Sequence, residues 1–336
     1  MDKRTGAAHD VAVLGSVGRK RVRFALSDEN GTLRPETIRS YDAKATTGVS
    51  AALIDFQRDL ALPAIPSRAA IAVAGLARGD TISITNTHWF VSRTGLRAMT
   101  GCAPLILNDF TAEAWAICGA DVCQIETFST QLAPELKRPG CYVVLGITSG
   151  LGVSVINRSE TGAVTLLSTE AGHGAFAAAT GELAQLASDM FPGLNPVMTE
   201  QIVSAPGLAA IYAFLAQRGR TAVRIRTPEE ITRSAATDPV ARAACELLAK
   251  AFWAQAGNLV MTFGAWDGVL VTGALANAIR PFLQRPDTQT LFATSPKYQR
   301  MLQNVPRAFV TLANAQLIGL AEALRYERVK SSAGVG

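Results

Sequence analysis

Asp109 is the residue whose type and position most clearly suggest chemistry. It follows Asn108 at the end of the apolar segment 104–107, which we predict to be a buried strand that holds the carboxylate at the edge of a sheet. Ligands of open α/β sheets bind at such an edge. There a carboxylate can accept the proton of an attacking hydroxyl as a general base. The alternative is that Asn108 or Asp109 caps a helix beginning near Thr111, because both residue types are favoured at N-caps.

Glu170 and His173 form a second candidate pair. Their spacing would place them on one face of a helix, but Gly172 and Gly174 argue against a regular helix. We therefore predict a turn that presents both side chains to one ligand, while a purely structural role for His173 stays open. Zinc is not expected, because no cysteine cluster lies nearby. Glu200, considered alone, would be a solvated helix residue.

The glycine-rich segment 146–152 can bring successive backbone N–H groups towards an anion. It has no lysine after its second glycine, so it is not a P-loop. A strand rather than a helix is expected after it, which argues against a dinucleotide-binding turn. We predict a strand-turn-strand hairpin that binds phosphate. Carboxylate, glycine turn and Glu/His pair together suggest transfer of a phosphoryl group to a hydroxyl.

The composition narrows the class of protein. At 336 residues the chain is long for one core, so two domains are expected. Hydrophobic residues make up 49% and charged residues 18%, as in well-buried globular proteins. No apolar run is long enough to span a membrane. The five cysteines are scattered and form no CxxC pair, so we expect a reduced, cytoplasmic protein without a metal cluster.

The net charge of +5 raises the question of nucleic-acid binding. Most of the 32 basic residues are dispersed among 27 acidic ones. The exception is a short cluster formed by Arg19, Lys20, Arg21 and Arg23. Only Phe24 lies beside it as a stacking aromatic, so we do not predict a nucleic-acid platform.

The order of the predicted elements indicates two related α/β halves. Strands are predicted at 11–14, 22–27, 33–41, 69–74, 81–85, 105–107, 142–145, 152–157, 163–167 and 268–272, and helices at 49–60, 111–118, 181–190, 208–217, 239–262 and about 316–328. The segment 15–18 is predicted to be a tight glycine turn, 121–139 a polar connection, and 268–272 the last strand. We expect a small domain at 1–118, completed by the C-terminal helix, and a larger one at 119–315. The two are expected to face each other across a cleft.

In their order and spacing, these residues resemble the bacterial glucokinase family, within the hexokinase and actin superfamily of ATP-binding folds. The resemblance runs from Val11 to about Leu324. It is carried by the segments 85–89, 107–110, 150–153, 170–173, 204–208 and 273–274. It implies the two-domain α/β fold of actin-like ATPases, a ribonuclease H-like fold with sugar and ATP in the interdomain cleft. The zinc-binding cysteine motif of the related ROK sugar kinases is absent.

The resemblance also implies an activity and a sugar site. Asp109 matches the catalytic base that deprotonates the 6-hydroxyl of glucose, and Asn108, Glu170, His173 and Glu200 match residues that hold its other hydroxyls. The implied reaction is the ATP-dependent phosphorylation of glucose to glucose 6-phosphate, a step of glycolysis and carbohydrate metabolism. Glucose or a similar hexose, ATP with Mg²⁺, and a second copy of the chain as a homodimer are the implied partners.

The implied nucleotide site departs from the family pattern. Its positions are Gly15, Ser16, Val17, Gly18, Arg19 and Lys20 in the first phosphate loop, Thr148, Ser149 and Gly150 in the second, and Gly273 near adenosine. The family's first loop reads Asp-x-Gly-Gly-Thr-x-x-Arg. Here Ser16 replaces the acid that helps to organise magnesium, which prefers charged oxygen ligands. Arg19 replaces a glycine where a positive φ is expected, and Lys20 replaces the threonine.

Two interpretations of this loop stay open. Arg19 and Lys20 could supply positive charge directly to the phosphates and partly replace magnesium. Alternatively, nucleotide binding is impaired, and the chain is a sugar-binding sensor or regulatory protein that retains only the sugar pocket. Metal and positioned charges supply most of the catalysis in phosphoryl transfer, so the difference matters for activity.

Overall fold

The computed structural model describes residues 11–85, 87, 89–119, 124–128 and 132–333. Asn86 and His88 of the segment 85–89, and Cys123, lie outside the described residues. The described residues divide into two compact units. The second unit is Gln124–Thr311, and the first unit consists of the described residues before Gln124 together with those from Leu312 onwards.

Strands and helices alternate along both units. The strands are β1 (Ala12–Val17), β2 (Arg21–Ser27), β3 (Leu33–Asp42), β4 (Arg68–Val73), β5 (Thr81–Ser83), β6 (Phe90–Ser92), β7 (Leu105–Asn108), β8 (Gln124–Thr127), β9 (Gly140–Ile147), β10 (Leu151–Arg158), β11 (Val164–Thr169), β12 (Gly268–Thr272) and β13 (Arg307–Thr311). The α-helices are α1 (Val49–Asp59), α2 (Arg93–Thr100), α3 (Asp109–Gly119), α4 (Gly181–Met190), α5 (Thr199–Ile202), α6 (Ala205–Arg218), α7 (Pro228–Ser234), α8 (Pro239–Phe263), α9 (Ala274–Ala278), α10 (Arg280–Leu283), α11 (Pro286–Gln289), α12 (Gln299–Asn304) and α13 (Ala315–Ala333). Among the described residues, short 3-10 helices occupy Ala171–His173 and Thr290–Ala293.

The first unit is built on a five-stranded sheet with the order β3-β2-β1-β4-β7. Strand β1 is parallel to β4, and β4 is parallel to β7. In this register Val17, Val73 and Asn108 lie side by side in one row across the three strands. The turn after β1 and the pair Asn108–Asp109 therefore share the carboxyl edge of the sheet, where α/β folds bind ligands.

Both faces of this sheet are covered by helices, which explains why β1 and β4 are almost wholly apolar. Val13 and Val17 of β1 pack towards α1, whereas Ala12 and Leu14 pack towards α3 and α13. Helices α3 and α13 cross very closely at Gly319. A Cβ atom at that position would lie 1.6 Å from the carbonyl oxygen of Ala112, so no larger residue fits without a shift.

The predicted glycine turn at 15–18 is wrong. Strand β1 continues to Val17, and the turn to β2 is formed by residues 18–21. Gly15 lies inside the strand, and glycine is needed there because a side chain has no room. A Cβ at this position would lie 2.6 Å from the side chain of Ile71 and 2.7 Å from that of Phe24. The glycine is explained by packing rather than by a turn.

The second unit is built on a six-stranded sheet with the order β11-β10-β9-β12-β13-β8. Strands β9, β12 and β13 are parallel to one another, and the other pairings are antiparallel. The prediction of 268–272 as the last strand is wrong, since β13 follows it. The predicted polar connection 121–139 also contains β8, a short, largely exposed edge strand. Neither β13 nor β8 has the long apolar run by which strands are recognised in a sequence.

Helix α8 forms the centre of the second unit's core. Asp238 begins it by accepting hydrogen bonds from the N–H groups of Val240 and Ala241, and Gly264, with a φ of 67°, ends it. Residues on all sides of this helix are buried, as expected of a helix surrounded by protein. Within the described part of the chain, no helix combines the length and apolar character that crossing a membrane requires.

Candidate functional site

Asn108 fixes the junction between β7 and α3. Its side-chain oxygen Oδ1 accepts hydrogen bonds from the N–H groups of Phe110 at 2.9 Å and Thr111 at 3.2 Å, and its Nδ2 donates to the carbonyl of Gly75 at 3.2 Å. Asn108 is thus the N-cap, and α3 begins at Asp109 rather than near Thr111. The carboxylate of Asp109 is half-buried in the first helical turn, where the helix dipole favours negative charge.

Ser16 lies on the same edge but is directed into the first unit. It is buried, and its hydroxyl donates a hydrogen bond to Oε1 of Gln316 in α13. Opposite Ser16 on β2, Arg23 donates from Nη1 to Oδ1 of Asn314 at 3.2 Å, and burial lowers the pKa of the Arg23 guanidinium. The sequence gives no sign of Gln316 or Asn314, because each lies about three hundred positions from its partner.

The turn at 18–21, hereafter the cationic turn, is held by its own backbone. Gly18 donates its N–H to the carbonyl of Arg21 at 3.0 Å, and the carbonyl of Lys20 accepts from the N–H of Ala43 at 2.9 Å. Arg19 does not have a positive φ, so the expectation of left-handed backbone at this position is wrong. The turn therefore accommodates the arginine without backbone strain.

Glu200 in the second unit is held against the turn at 148–150. Its Oε2 accepts the N–H of Leu151 at 3.0 Å. A Cβ atom on Gly150 would lie 2.4 Å from the same oxygen, so glycine is needed for the carboxylate to sit there. Glu200 is half-buried at the start of α5. The prediction that Glu200, considered alone, is a solvated helix residue is therefore wrong.

Glu170 and His173 border the short 3-10 helix Ala171–His173 that follows β11. His173 Nε2 lies 4.0 Å from Glu170 Oε2, and the two side chains are 56% and 46% exposed. They are therefore open to a ligand. Gly172 lets this turn pack on β10, because a Cβ there would lie 2.2 Å from the carbonyl oxygen of Leu151. The backbone of Leu151 thus touches both the Glu170–His173 turn and Glu200.

The turn at 148–150 lies beside Gly273. The N–H of Thr148 donates to the carbonyl of Gly150 at 2.9 Å, and the carbonyl of Thr148 accepts from the N–H of Ala205 at 3.0 Å. Gly273 has a φ of 101°, and a Cβ on it would lie 2.4 Å from the carbonyl oxygen of Ile147. Glycine is therefore required where β12 passes into α9 next to this turn.

The predicted residues thus form two groups, one in each unit. In the first unit, the cationic turn and the pair Asn108–Asp109 share a sheet edge. Gly15, Ser16 and Val17 belong to β1 itself and are buried. In the second unit, Glu170, His173, Glu200, Thr148, Ser149, Gly150 and Gly273 gather around the carboxyl end of β9 and the start of β10. The backbone contacts of Gly75 and Leu151 were not foreseen, because nothing in their residue types marks them.

The two groups differ in what they can hold. Thr148 and Ser149 expose their hydroxyls at a sheet edge, and hydroxyl donors fit phosphate oxygens. The position of Ser16 does not fit a divalent cation, since its neutral hydroxyl is buried and engaged by Gln316. Among the residues that the structure describes, no cluster of three or more His, Cys, Asp or Glu side chains is placed to hold a metal.

Comparison with known sequences gives consistent matches. The family model described as Glucokinase matches residues 13–327. The glucokinase of Xanthomonas oryzae pv. oryzae is 31% identical over 316 residues, which covers 92% of this chain and 93% of the relative. The glucokinase of Stenotrophomonas maltophilia is 30% identical over 322 residues, with 94% and 95% covered.

Solved structures with the same fold include a glucokinase from an Antarctic psychrotroph, with a TM-score of 0.78, 24% identity and 94% and 98% of the two chains covered. The glucokinase of Balamuthia mandrillaris in complex with glucose has a TM-score of 0.80 at 20% identity, covering 96% and 95%. A ROK hexokinase from Thermus thermophilus has a TM-score of 0.62 at 18% identity, covering 96% and 99%. These likenesses confirm the predicted fold class, the α/β fold of actin-like ATPases.

Proposed function

The chain belongs to the glucokinase family, and we propose that it transfers a phosphoryl group from ATP to glucose to form glucose 6-phosphate. One observation carries the proposal beyond family membership. In the second unit, Glu200 is bonded to the backbone at the end of the turn 148–150, so a side chain predicted to bind sugar adjoins a turn predicted to bind phosphate. A kinase must bring its hydroxyl acceptor to the phosphoryl donor in this way.

In this proposal, Asp109 is the general base. It accepts the proton of the sugar's 6-hydroxyl as that oxygen attacks the phosphoryl group. Asn108 keeps the base in place, because its three hydrogen bonds tie the end of β7 to Gly75 and to the first turn of α3. A rigid junction reduces the loss of entropy on reaching a productive geometry.

Glu170, His173 and Glu200 orient the sugar. Oε2 of Glu200 is occupied by the N–H of Leu151, while its Oε1 makes no hydrogen bond to the described residues and can accept one from a sugar hydroxyl. Glu170 and His173 lie side by side and are about half exposed, so they can accept and donate hydrogen bonds to neighbouring hydroxyls.

The donor residues of the second unit are Thr148, Ser149, Gly150 and Gly273. The hydroxyls of the exposed residues Thr148 and Ser149 donate to phosphate oxygens, and Gly150 and Gly273 allow the close packing against Glu200 and Ile147 that shapes this edge of the sheet. ATP, when bound, supplies the phosphoryl group that is transferred.

A coupled assay of ATP and glucose turnover tests this assignment. We expect Asp109→Ala to lower kcat by roughly 10²–10⁴, the usual contribution of a general base. Asp189→Ala is the matched control, because Asp189 is an exposed residue of α4 whose carboxylate only accepts from Gln185. If Asp109→Ala and Asp189→Ala turn over at the same rate, Asp109 is not the base.

A sugar-binding sensor is the second candidate, and the Ser16–Gln316 hydrogen bond is the observation that favours it. Ser16 stands where the resemblance places an acid that helps to organise magnesium, and its hydroxyl is engaged by Gln316. A sensor would be stabilised against thermal unfolding by glucose but unaffected by ATP, with or without magnesium. Stabilisation by both ligands would exclude it.

We also propose that the protein acts in the cytoplasm as part of glycolysis and that it forms a homodimer. Cysteines 102, 141 and 245 are free thiols, which suits a reducing compartment. The resemblance alone suggests the dimer, and measuring the molar mass in solution by light scattering tests it.

A further inference from the structure

We infer that the cationic turn binds the triphosphate of ATP in its metal-free form, so that positive side chains act where the family uses a magnesium ion held through an acid. The inference rests on the proposed function, because it concerns the same nucleotide. It is specific to this chain, whose residues 16, 19 and 20 differ from the family loop.

Ser16 is not available as a ligand of a phosphate or a metal ion. Its hydroxyl is buried and donates to Gln316, so it has no proton left to offer a phosphate and carries no charge to attract a cation. Neighbouring Val17 and Gly15 are buried strand residues. The edge of β1 therefore supplies no oxygen ligand from a side chain to a divalent ion.

The cationic turn carries three positively charged side chains. Lys20 and Arg21 are exposed and Arg19 is partly exposed, and none of the three forms an ion pair with a described carboxylate. Asp42, opposite Arg21 in the sheet, accepts the N–H of Lys44 at 2.7 Å and is the carboxylate paired across the strands with the turn. The turn thus carries three cations outside ion pairs beside one carboxylate, and this net positive charge attracts a polyanion.

The cationic turn also lies near Asp109. It follows β1 at the same sheet edge, with only β4 between β1 and β7. Adjacent strands are about 4.8 Å apart, so β1 and β7 are separated by roughly 10 Å, and a phosphate lying between them would be within reach of arginine and lysine side chains. The backbone bonds of Gly18 and Lys20 hold the turn in place, so its cations are positioned in advance of binding.

A metal-free triphosphate carries more negative charge than its magnesium complex, and three cations compensate it directly. A turn that relies on cations therefore favours ATP without magnesium, whereas a turn that relies on a bound ion requires it. Binding of metal-free ATP should also weaken steeply as salt is added, because the cations are exposed.

Isothermal titration calorimetry with ATP in EDTA, and separately with ATP in excess magnesium, tests the inference. For the wild type we expect ATP in EDTA to bind at least as tightly as magnesium ATP. The double variant Arg19→Gln with Lys20→Gln should bind ATP in EDTA about tenfold to a hundredfold more weakly, since it loses two charge-assisted contacts.

Two control variants show whether charge at the turn is responsible. Arg97→Gln with Arg300→Gln removes the same net charge from exposed positions on α2 and α12 and should bind ATP like the wild type. Arg19→Lys with Lys20→Arg retains the charge at the turn and should retain binding in EDTA. Thermal unfolding without ligand checks that all variants fold alike.

The inference is overturned if the wild type binds ATP only with magnesium, or if the turn variant and the charge control bind metal-free ATP equally well. It is also overturned if ATP does not bind in either form, and in that case ATP as the donor is lost as well. If glucose is phosphorylated with magnesium present and binding depends on magnesium, the inference is wrong and the proposed function stands.

Discussion

At the scale of single residues, the proposed function gives Asn108 and Asp109 separate tasks. Asn108 satisfies two N–H groups at the start of α3 and reaches across to Gly75, so the carboxylate of Asp109 is not needed as the cap. In the proposed function, Asp109 serves as the base. The two adjacent polar residues at the end of β7 are thereby explained together.

Replacing Asn108 tests this division. Asn108→Ala removes the acceptor for both N–H groups, and we expect the free energy of unfolding to fall by about 1 kcal/mol, within the range of 0.5–2 kcal/mol found for N-caps. Chemical denaturation measures the change. Asn108→Asp is the matched control, because aspartate can still accept both bonds, although it cannot donate to Gly75. A loss as large in Asn108→Asp as in Asn108→Ala would contradict the capping role.

The described thiols should differ sharply in reactivity. Cys102 is exposed, whereas Cys245 is buried in α8, and burial raises the pKa of the Cys245 thiol to about 12. At pH 8 roughly one Cys245 in ten thousand is then a thiolate, the form that reacts. We expect iodoacetamide to label Cys102 within minutes and to leave Cys245 unlabelled until the protein is unfolded. Peptide mass mapping reads out both sites. Equal labelling of the two in the native protein would contradict the packing of α8.

At the scale of elements, close approaches of backbone explain several glycines of the site. Gly150 lies against the carboxylate of Glu200, and Gly172 lies against the carbonyl of Leu151. Both contacts join the hairpin of β9 and β10 to the segments that carry the predicted sugar residues. Gly150 thus leaves room for Glu200, which lies far from it in the sequence, and Gly172 lets the Glu170–His173 turn pack against β10.

Gly150→Ala should therefore impair sugar binding. The new methyl group would lie 2.4 Å from Oε2 of Glu200, so the carboxylate must move and lose its bond from Leu151. We expect KM for glucose to rise about tenfold or more, the cost of displacing one well-placed charged hydrogen-bonding group. Steady-state kinetics with glucose as the varied substrate measures the effect.

Gly181→Ala is the matched control for this prediction. Gly181 is the first residue of α4, and a Cβ there meets no atom within 4 Å. Its KM should match that of the wild type. An unchanged KM in Gly150→Ala would mean that Glu200 does not contact the sugar.

The sequence predicts an element well where its hydrophobic pattern is clear and glycine or proline residues lie near its ends. Strand β12 and helix α4 are found with their observed bounds. Strand β13 is missed because it begins with Arg307, a buried cation lying over the rings of Trp253 and Phe292. No sequence pattern indicates that these aromatic side chains will cover the charge.

The site is predictable only in part, for a similar reason. Turn and strand-end residues such as Asp109 and His173 stand out by type and spacing. The half-buried state of Glu200 depends on the N–H of Leu151, and the state of Ser16 depends on Gln316. Both are contacts between distant segments, which local patterns do not contain.

At the scale of the whole molecule, the main sheet of each unit carries proposed site residues at its edge. The first unit places the proposed base beside the cationic turn, and the second places the proposed sugar residues beside the turn at 148–150. The repeated arrangement is what the α/β fold of actin-like ATPases offers to a phosphoryl transferase. Family membership and these two groups together support a kinase that acts on a hexose.

Phosphorus NMR of the purified protein with glucose and ATP, followed in real time with and without magnesium, tests the central claim most directly. The account predicts that a sugar 6-phosphate resonance appears as the γ-phosphate resonance of ATP declines, and that Asp109→Ala slows both changes by roughly 10²–10⁴. A protein that is stabilised by glucose but forms no sugar phosphate under either condition would contradict it.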